Sequence, residues 1–280
     1  MKNILTALFI IFSPIGATAQ KAIYEKSDSA RIETIMRNAD SHNTGGELLL
    51  AIANGFIDEK YVGGTLEQGI GEPLFISCTK LDCTTYVELV LAIAKTVNDG
   101  SRRFTDVCRN LETIRYRNGK NCGYASRLHY ISWWIADSAK TGIIEEITPQ
   151  ISNERLSLNI NFMSTHPGSY PLLAESPEMV KEIEQFEIPY RDIEVSYIPK
   201  EKIGPYVCKE IKAGDIIAIT TSITGLDVAH IGFAHYNNGT LCLLHASSNK
   251  GKVIKDTTPL SDYLANNRRH TGIRVFRACF

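Results

Sequence analysis

Apolar positions follow a helical rhythm in the first half of the chain and a strand-like rhythm in the second. Ile32, Ile35 and Met36 recur at helical spacing, and a second apolar stretch, Leu48 to Ile57, follows Gly45-Gly46, so residues 20–58 predict helix. Residues 60–82 carry Gly63, Gly64, Gly69, Gly71 and Pro73 and predict loop with short extended pieces. From Cys83 to Val97 the positions Val87, Leu91 and Ala94 share a helical face, and Asn98-Asp99-Gly100 closes that helix. Residues 101–150 predict further helix, including His129 to Ala139, before Gly142. Residues 151–204 mix types: an alternating run near Leu156–Phe162, a loop at His166-Pro167-Gly168, and a charged helix from about Pro177 to Gln185. Strands then dominate, at Asp215–Thr221, Ala229–Tyr236, Thr240–Ala246 and Ile273–Arg277, with Asn237-Asn238-Gly239 a hairpin turn. Helices first and antiparallel strands later predict an α+β fold rather than an alternating parallel one.

Composition narrows the function classes. Apolar residues make up 44% and charged residues 22% of 280, which is ordinary globular usage and excludes a disordered or collagen-like chain. The balance of 30 basic and 31 acidic side chains leaves no electrostatic footprint for nucleic acid. The first nineteen residues differ from the rest. Lys2, the apolar stretch Ile4 to Ile15 and the small-residue pattern Ala17-Thr18-Ala19 read as a signal peptide cut near Ala19-Gln20, with Pro14 and Gly16 arguing against a buried helix. The expectation is a periplasmic or secreted mature chain, residues 20–280, forming a single domain. No apolar run of spanning length follows the leader, so no stable membrane anchor is expected. Export permits disulfides, but seven cysteines leave at least one thiol unpaired within one chain. Cys242, inside Leu241-Cys242-Leu243-Leu244, reads as a small buried hydrophobe.

Cys83 is the thiol placed to react. It stands where loop gives way to helix, with Asp82 as the expected N-cap, and a helix N-terminus stabilises a thiolate. The competing reading is a structural cysteine that happens to open a helix. Two histidines shift the balance. If Asn238-Gly239 is a two-residue turn, His230 falls opposite Ser247, and His230 and His245 become diagonal neighbours on one face of the hairpin. His235 falls opposite Cys242 and points the other way. A thiol at a helix start, a strand histidine and a second polar group orienting it form the Cys–His nucleophile arrangement. His230 would handle the thiol proton, and His245 would bond its far nitrogen. A zinc site competes for the same residue types, but Cys78-x4-Cys83 is a loose ligand spacing and there is no H-E-x-x-H, so no metal and no organic cofactor is expected.

These residues resemble the NlpC-type cell-wall cysteine peptidase superfamily, which has a papain-like fold. Asp82-Cys83-Thr84-Thr85-Tyr86-Val87 is similar to its nucleophile motif, Lys212-Ala213-Gly214-Asp215-Ile216 to its strand entry, Ala229-His230-Ile231-Gly232-Phe233 to its base motif, and Leu244-His245-Ala246-Ser247 to its third-residue motif. More narrowly, the mature chain resembles the N-acetylmuramoyl-L-alanine amidase-like branch, through Tyr61-Val62-Gly63-Gly64-Thr65-Leu66-Glu67, Arg127-Leu128-His129-Tyr130 with Trp133, and Ser164-Thr165-His166-Pro167 with Tyr170. The stretch Tyr61 to Gly64 is one residue shorter than the superfamily's Y-x-W-G-G signature, and a long segment separates it from Cys83. The resemblance implies a papain-like core, about residues 60–100 and 205–280, with a large insertion, about 101–204, between the nucleophile helix and the sheet. It implies hydrolysis of the amide joining muramic acid to L-alanine in peptidoglycan-derived muropeptides, including those with a 1,6-anhydro-muramyl end. A monomer is expected.

On that reading the insertion builds walls around the substrate. Tyr61, Arg127, His129, Tyr130, Trp133, His166 and Tyr170 are the candidate binding residues: aromatic faces pack on sugar C–H surfaces, and an arginine pairs with a stem-peptide carboxylate. Each also has a plain structural reading, Trp133 and Trp134 as core and Arg127 as a partner for a carbonyl. The rival functions are a γ-D-glutamyl-diaminopimelate endopeptidase using the same chemistry, a non-catalytic cell-wall binding module, and a zinc amidase.

Overall fold

The computed structural model describes residues 22–39, 45–67 and 71–280, so the leader and its cleavage site lie outside the described residues. Two helices come first, α1 (Lys26–Asn38) and α2 (Gly45–Asn54). Ile32 and Met36 of α1 and Leu48, Leu49 and Ile52 of α2 are buried in the main core. The helix that Cys83 opens is α3 (Cys83–Asn98), and from Thr85 to Ala94 every residue is buried. The spacing argument assigned α3 one apolar face. In the structure it is wrapped on all sides, because α1, α2, α4 (Phe104–Arg115) and the sheet all pack on it. No described helix is long and apolar enough to cross a membrane.

Residues 101–150 are not continuous helix. After α4 the run Arg117 to Gly123 is rich in turn residues, with Asn118, Gly119 and Gly123 at positive φ, and helix resumes only at α5 (Ile131–Lys140). Gly142, at φ +68°, ends that segment, and Ile144–Glu146 becomes strand β1 by pairing with a distant edge. The alternating run at 156–162 is strand only as β2 (Arg155–Leu158), paired with β3 (Ile193–Ser196) in a small separate sheet. The two-residue strand β4 (Ile198–Pro199) follows.

The main sheet is antiparallel throughout: β5 (Ile216–Thr221), β6 (Val228–Asn237), β7 (Thr240–Ser247), β8 (Lys252–Lys255) and β9 (His270–Ala278), in the order β1-β9-β5-β6-β7-β8, with β4 also on β9. Both edge contributions from 101–204, β1 and β4, lie on the side of β9 away from β5. Residues 101–204 therefore complete the sheet as well as flanking the cleft. Both faces of the sheet are covered. Ile216, Ala218, Phe233 and Leu244 face α3, whereas Ile217, Ile219, Leu243 and Val275 face a second cluster with Val207, Ile211, Leu260 and Leu264. That is why β5 is apolar at successive positions rather than at alternate ones.

Two glycines of the sequence motifs have steric causes. A Cβ on Gly214 would lie 2.3 Å from the Gly46 backbone, so the strand entry lets the start of α2 touch the sheet, and Gly214 sits at φ +87°. Beside it, Asp215 holds Arg277 of β9 with two 2.7 Å bonds. A Cβ on Gly232 would lie 2.8 Å from the His245 Cβ, so this glycine lets β7 approach β6 where the two histidines meet.

Candidate active site

The start of α3 is shaped by a reciprocal cap. Thr85 N–H donates to Asp82 Oδ1 at 2.8 Å, and Asp82 N–H donates to Thr85 Oγ1 at 2.9 Å. Such a box stabilises a helix start by about 1 kcal/mol. It leaves Cys83, the first helical residue, half-buried on the wall of a cleft of about 240 Å³ that His230 also lines. The hairpin turn has two residues, with Asn237 opposite Thr240 and Phe233 opposite Leu244. His230 Nε2 and His245 Nδ1 are 2.6 Å apart, so the two imidazoles meet as the turn requires. His235 pairs with Cys242 and bonds the Asp256 carbonyl instead.

A fourth residue, which no motif marked, extends this pair. Asp256 Oδ2 lies 3.7 Å from His245 Nε2, a buried nitrogen that has no hydrogen-bond partner among the described residues. The carboxylate favours a proton on His245 Nε2, so Nδ1 accepts from His230 Nε2–H, and the lone pair of His230 Nδ1 is left free to act as a base. Asp256 follows the end of β8, and the β7–β8 register that brings it to His245 involves no local sequence signal. Tyr263, from the short helix Leu260–Ala265, packs its ring 5.5 Å from His245 and 6.2 Å from His230.

Electrostatics set the resting protonation. Burial pushes the Cys83 thiol up to about 11, with the Asp82 charge acting in the same direction; hydrogen bonding from Ile231 and Thr84 pulls against both. Burial lowers His230 to about 3, assisted by the charges of His245 and His270. It lowers His245 to about 4, against the pull of Asp256. At neutral pH the pair is therefore thiol and imidazole, not thiolate and imidazolium. The helix N-terminus favours the thiolate, but desolvation outweighs it. Because the folded thiol ionises only as pH rises towards 11, iodoacetamide alkylation of Cys83 is expected to accelerate through pH 9–11 with no plateau near pH 6. Intact-mass rates across pH 5–11 check this, and an early plateau would mean a preformed ion pair.

A family model described as AmiA-like, N-acetylmuramoyl-L-alanine amidase-like, matches residues 51–273. The chain belongs to the AmiA-like family. An N-acetylmuramoyl-L-alanine amidase from Bacteroides uniformis ATCC 8492 is 44% identical, with 82% of this chain and 98% of that one covered and a TM-score of 0.78. A Bacteroides fragilis protein provisionally named a xylanase is 45% identical, with 80% and 97% covered and a TM-score of 0.75. LPG0564 from Legionella pneumophila, at 23% identity, 89% and 94% coverage and a TM-score of 0.67, shares the fold alone. A comparison with curated proteins gave no match.

In this AmiA-like chain the remaining candidates separate. Arg127, His129, Tyr130 and Tyr170 line the Cys83 cleft. Tyr61 is close enough to Cys83 and Asp82 for their charges to add to the burial that raises its phenol to about 12. Arg127 is only 4% exposed and already occupied, donating to Leu66 O at 2.8 Å and pairing with Glu67 and, at 3.4 Å, with Glu72. It braces one wall rather than presenting a free guanidinium. Tyr130 donates to Glu187 and accepts from Met163 N–H, both at 2.7 Å, so its ring is a fixed surface. The His129 imidazole bonds the Tyr124 carbonyl at 2.9 Å, and burial keeps it neutral.

Three candidates do not line the cleft: Tyr61, which lies near Cys83 outside its wall, Trp133 and His166. Trp133 is 1% exposed, with its ring against Phe186 and Tyr190 and the Arg117 guanidinium 5.0 Å away, so its place is in the core. His166 is exposed and stacked on Phe162. The loose cysteine spacing also resolves: Cys78 is buried, with its N–H and thiol both turned to Asp28. The sequence reading missed Asp227, which lines the cleft and accepts from Ser132 N–H at 2.6 Å and Val228 N–H at 2.8 Å, tying the start of α5 to the start of β6.

Proposed function

We propose that this AmiA-like protein is a thiol-dependent amidase, of the papain-like NlpC type, that cleaves the bond between N-acetylmuramic acid and L-alanine in muropeptides, including those with a 1,6-anhydro end. The observation that carries the reading is the 2.6 Å contact between the buried His245 and His230, which lines the same cleft as Cys83, within a chain of an amidase-like family. His230 Nδ1 takes the thiol proton as Cys83 Sγ bonds to the amide carbonyl carbon. The carbon–nitrogen bond then breaks, and the same proton passes to the departing L-alanine nitrogen. Water, deprotonated by His230, splits the thioester and returns the proton to the sulfur. The Ile231 and Thr84 groups that favour a negative sulfur stabilise the charge as it develops. The leader-like residues 1–19 support export and a mature chain from Gln20.

The xylanase name of the Bacteroides fragilis relative points to glycoside hydrolysis, which needs two carboxyl groups free for acid and base work. The four carboxylates lining the cleft are all engaged: Glu67 with Arg127, Asp82 with Thr85, Glu88 with Arg115, and Asp227 with two backbone N–H groups. That favours the thiol. The test is purified residues 20–280 with a defined disaccharide–tetrapeptide, read by mass spectrometry. Release of free disaccharide and an intact stem peptide is expected. Cleavage inside the stem would make the protein an endopeptidase, and no cleavage would point to a binding module.

Asp256 acts through His245, so Asp256→Asn is expected to lower kcat about tenfold with KM unchanged, less than the roughly 10²–10⁴-fold that a group transferring the proton itself contributes. It should also move the acid limb of the pH–rate profile, which a purely structural residue would not do. A rise in KM alone would remove Asp256 from this role.

A further inference from the structure

Two hollows meet at His230. One is the cleft that Cys83 lines, whose surface includes Leu128, Tyr130, Met163 and Tyr170. The second, of about 390 Å³, shares His230 and Ala229 with it but not Cys83, and its wall is polar, with Ser247, Asn249, Lys250, Asp256, Asn267 and His270. Amide hydrolysis at a thiol imposes a direction on such a pair. The acyl carbon bonds to Cys83 Sγ and stays there as a thioester, while the departing nitrogen takes its proton from His230. The acyl part therefore lies on the Cys83 side and the amine part on the imidazole side.

We infer that the polar hollow beyond His230 receives the amine-side part of the substrate, a short peptide bearing carboxylates, and that Lys250 selects it. This rests on the amidase reading above. The chemistry of the wall fits an anion. Lys250 is exposed on the turn between β7 and β8, and among the described residues its ammonium is in no ion pair. The Asp256 carboxylate accepts from Thr258 N–H at 2.9 Å and faces His245, and it lies near enough to feel the Lys250 charge, so a bound carboxylate shares that ammonium with it. His270 is held in place beside it. Asn267 Oδ1 accepts from Arg269 N–H at 2.9 Å, which sets the amide so that Nδ2 donates to His270 Nε2 at 3.1 Å. The proton of this neutral imidazole then sits on Nδ1, which bonds the Tyr263 backbone carbonyl, so the ring is a fixed part of the wall. A carboxylate offers the Lys250 ammonium a charge-assisted partner.

The experiment is calorimetric titration of Cys83→Ala, which cannot turn over, with the free tripeptide L-alanyl-γ-D-glutamyl-meso-diaminopimelate and with L-alaninamide. The tripeptide is expected to bind the more tightly. Adding Lys250→Glu should weaken the tripeptide about tenfold and leave L-alaninamide unchanged, with the difference shrinking at high salt. Equal tripeptide affinity in the two proteins overturns the inference, as does absence of binding at millimolar peptide. The amidase reading fails separately. Disaccharide release by wild type with an unchanged KM in Lys250→Glu sinks the peptide site alone, whereas tripeptide binding without disaccharide release sinks the amidase alone.

Discussion

Replacing Cys83 by alanine is expected to lower muropeptide hydrolysis by about 10⁴-fold or more, the scale seen when a nucleophile is removed from an acid–base relay. The fold should survive. The cap is made by Asp82 and Thr85, not by the thiol, and the side chain is half-buried at the edge of a cleft. A stability change of about 1 kcal/mol or less follows, a shift of a few degrees in Tm. Cys83→Ser separates nucleophilicity from shape: serine keeps the hydrogen-bonding position, but the less nucleophilic oxygen should leave activity at least about 10²-fold below wild type. The comparison needs one defined disaccharide–tetrapeptide, mass spectrometry and a melting curve for each protein. Turnover by Cys83→Ala within tenfold of wild type would end the thiol mechanism and return the carboxylates of the cleft to consideration.

The second large effect concerns what holds α3. Glu88, on α3, accepts from Arg115 Nε of α4 at 2.7 Å, and both side chains are almost fully buried, 3% and 2% exposed. Arg115 also donates to Phe75 O at 2.6 Å, so one guanidinium joins α3, α4 and the loop before the cleft. Burial raises the Glu88 carboxyl while the Arg115 charge opposes it. Glu88→Ala leaves a buried guanidinium without its counter-charge, which costs about 3–5 kcal/mol. For a chain of this size that is a fall of roughly 10 °C in Tm. The double variant Glu88→Met with Arg115→Met removes both charges and is expected to recover most of the loss, because an apolar pair of similar volume avoids the desolvation cost. Scanning calorimetry of the three proteins decides it; a Glu88→Ala protein melting within 2 °C of wild type, on the order of the smallest resolvable effect, would show that the pair contributes little.

The candidate site was readable because each part of it is held by short-range rules. Asp82 and Thr85 are three residues apart, the reach of a capping box, so the sequence places Cys83 at a helix start without help from the rest of the chain. Asn238-Gly239 sets a two-residue turn, with Asn238 at φ +49° and Gly239 at +81°, and the strict alternation of strands then brings His230 to His245. The walls were not readable in the same way. Arg127 is matched to Glu67 and Glu72, 60 and 55 positions away in the chain, and whether a guanidinium is free for a ligand depends on carboxylates that only folding brings near. Trp133 was drawn towards the ligand by its neighbours in sequence, yet the structure uses its large apolar surface in the core, where burial gains most.

The same division runs through the fold. By itself the sequence determined the helix-then-strand order, the helix that Cys83 opens and its cap, and the hairpin register that joins two histidines, all through contacts within a few residues or across one tight turn. Tertiary structure decided that Ile144–Glu146 and Ile198–Pro199 become strands on β9, and that α3 is wrapped on every side. It also decided that Asp256 reaches His245 and that a polar hollow opens beyond His230. Those outcomes depend on an unpaired sheet edge, a buried charge or a cavity between distant segments. Such features carry no local propensity, because their free energy exists only once the chain has closed around them.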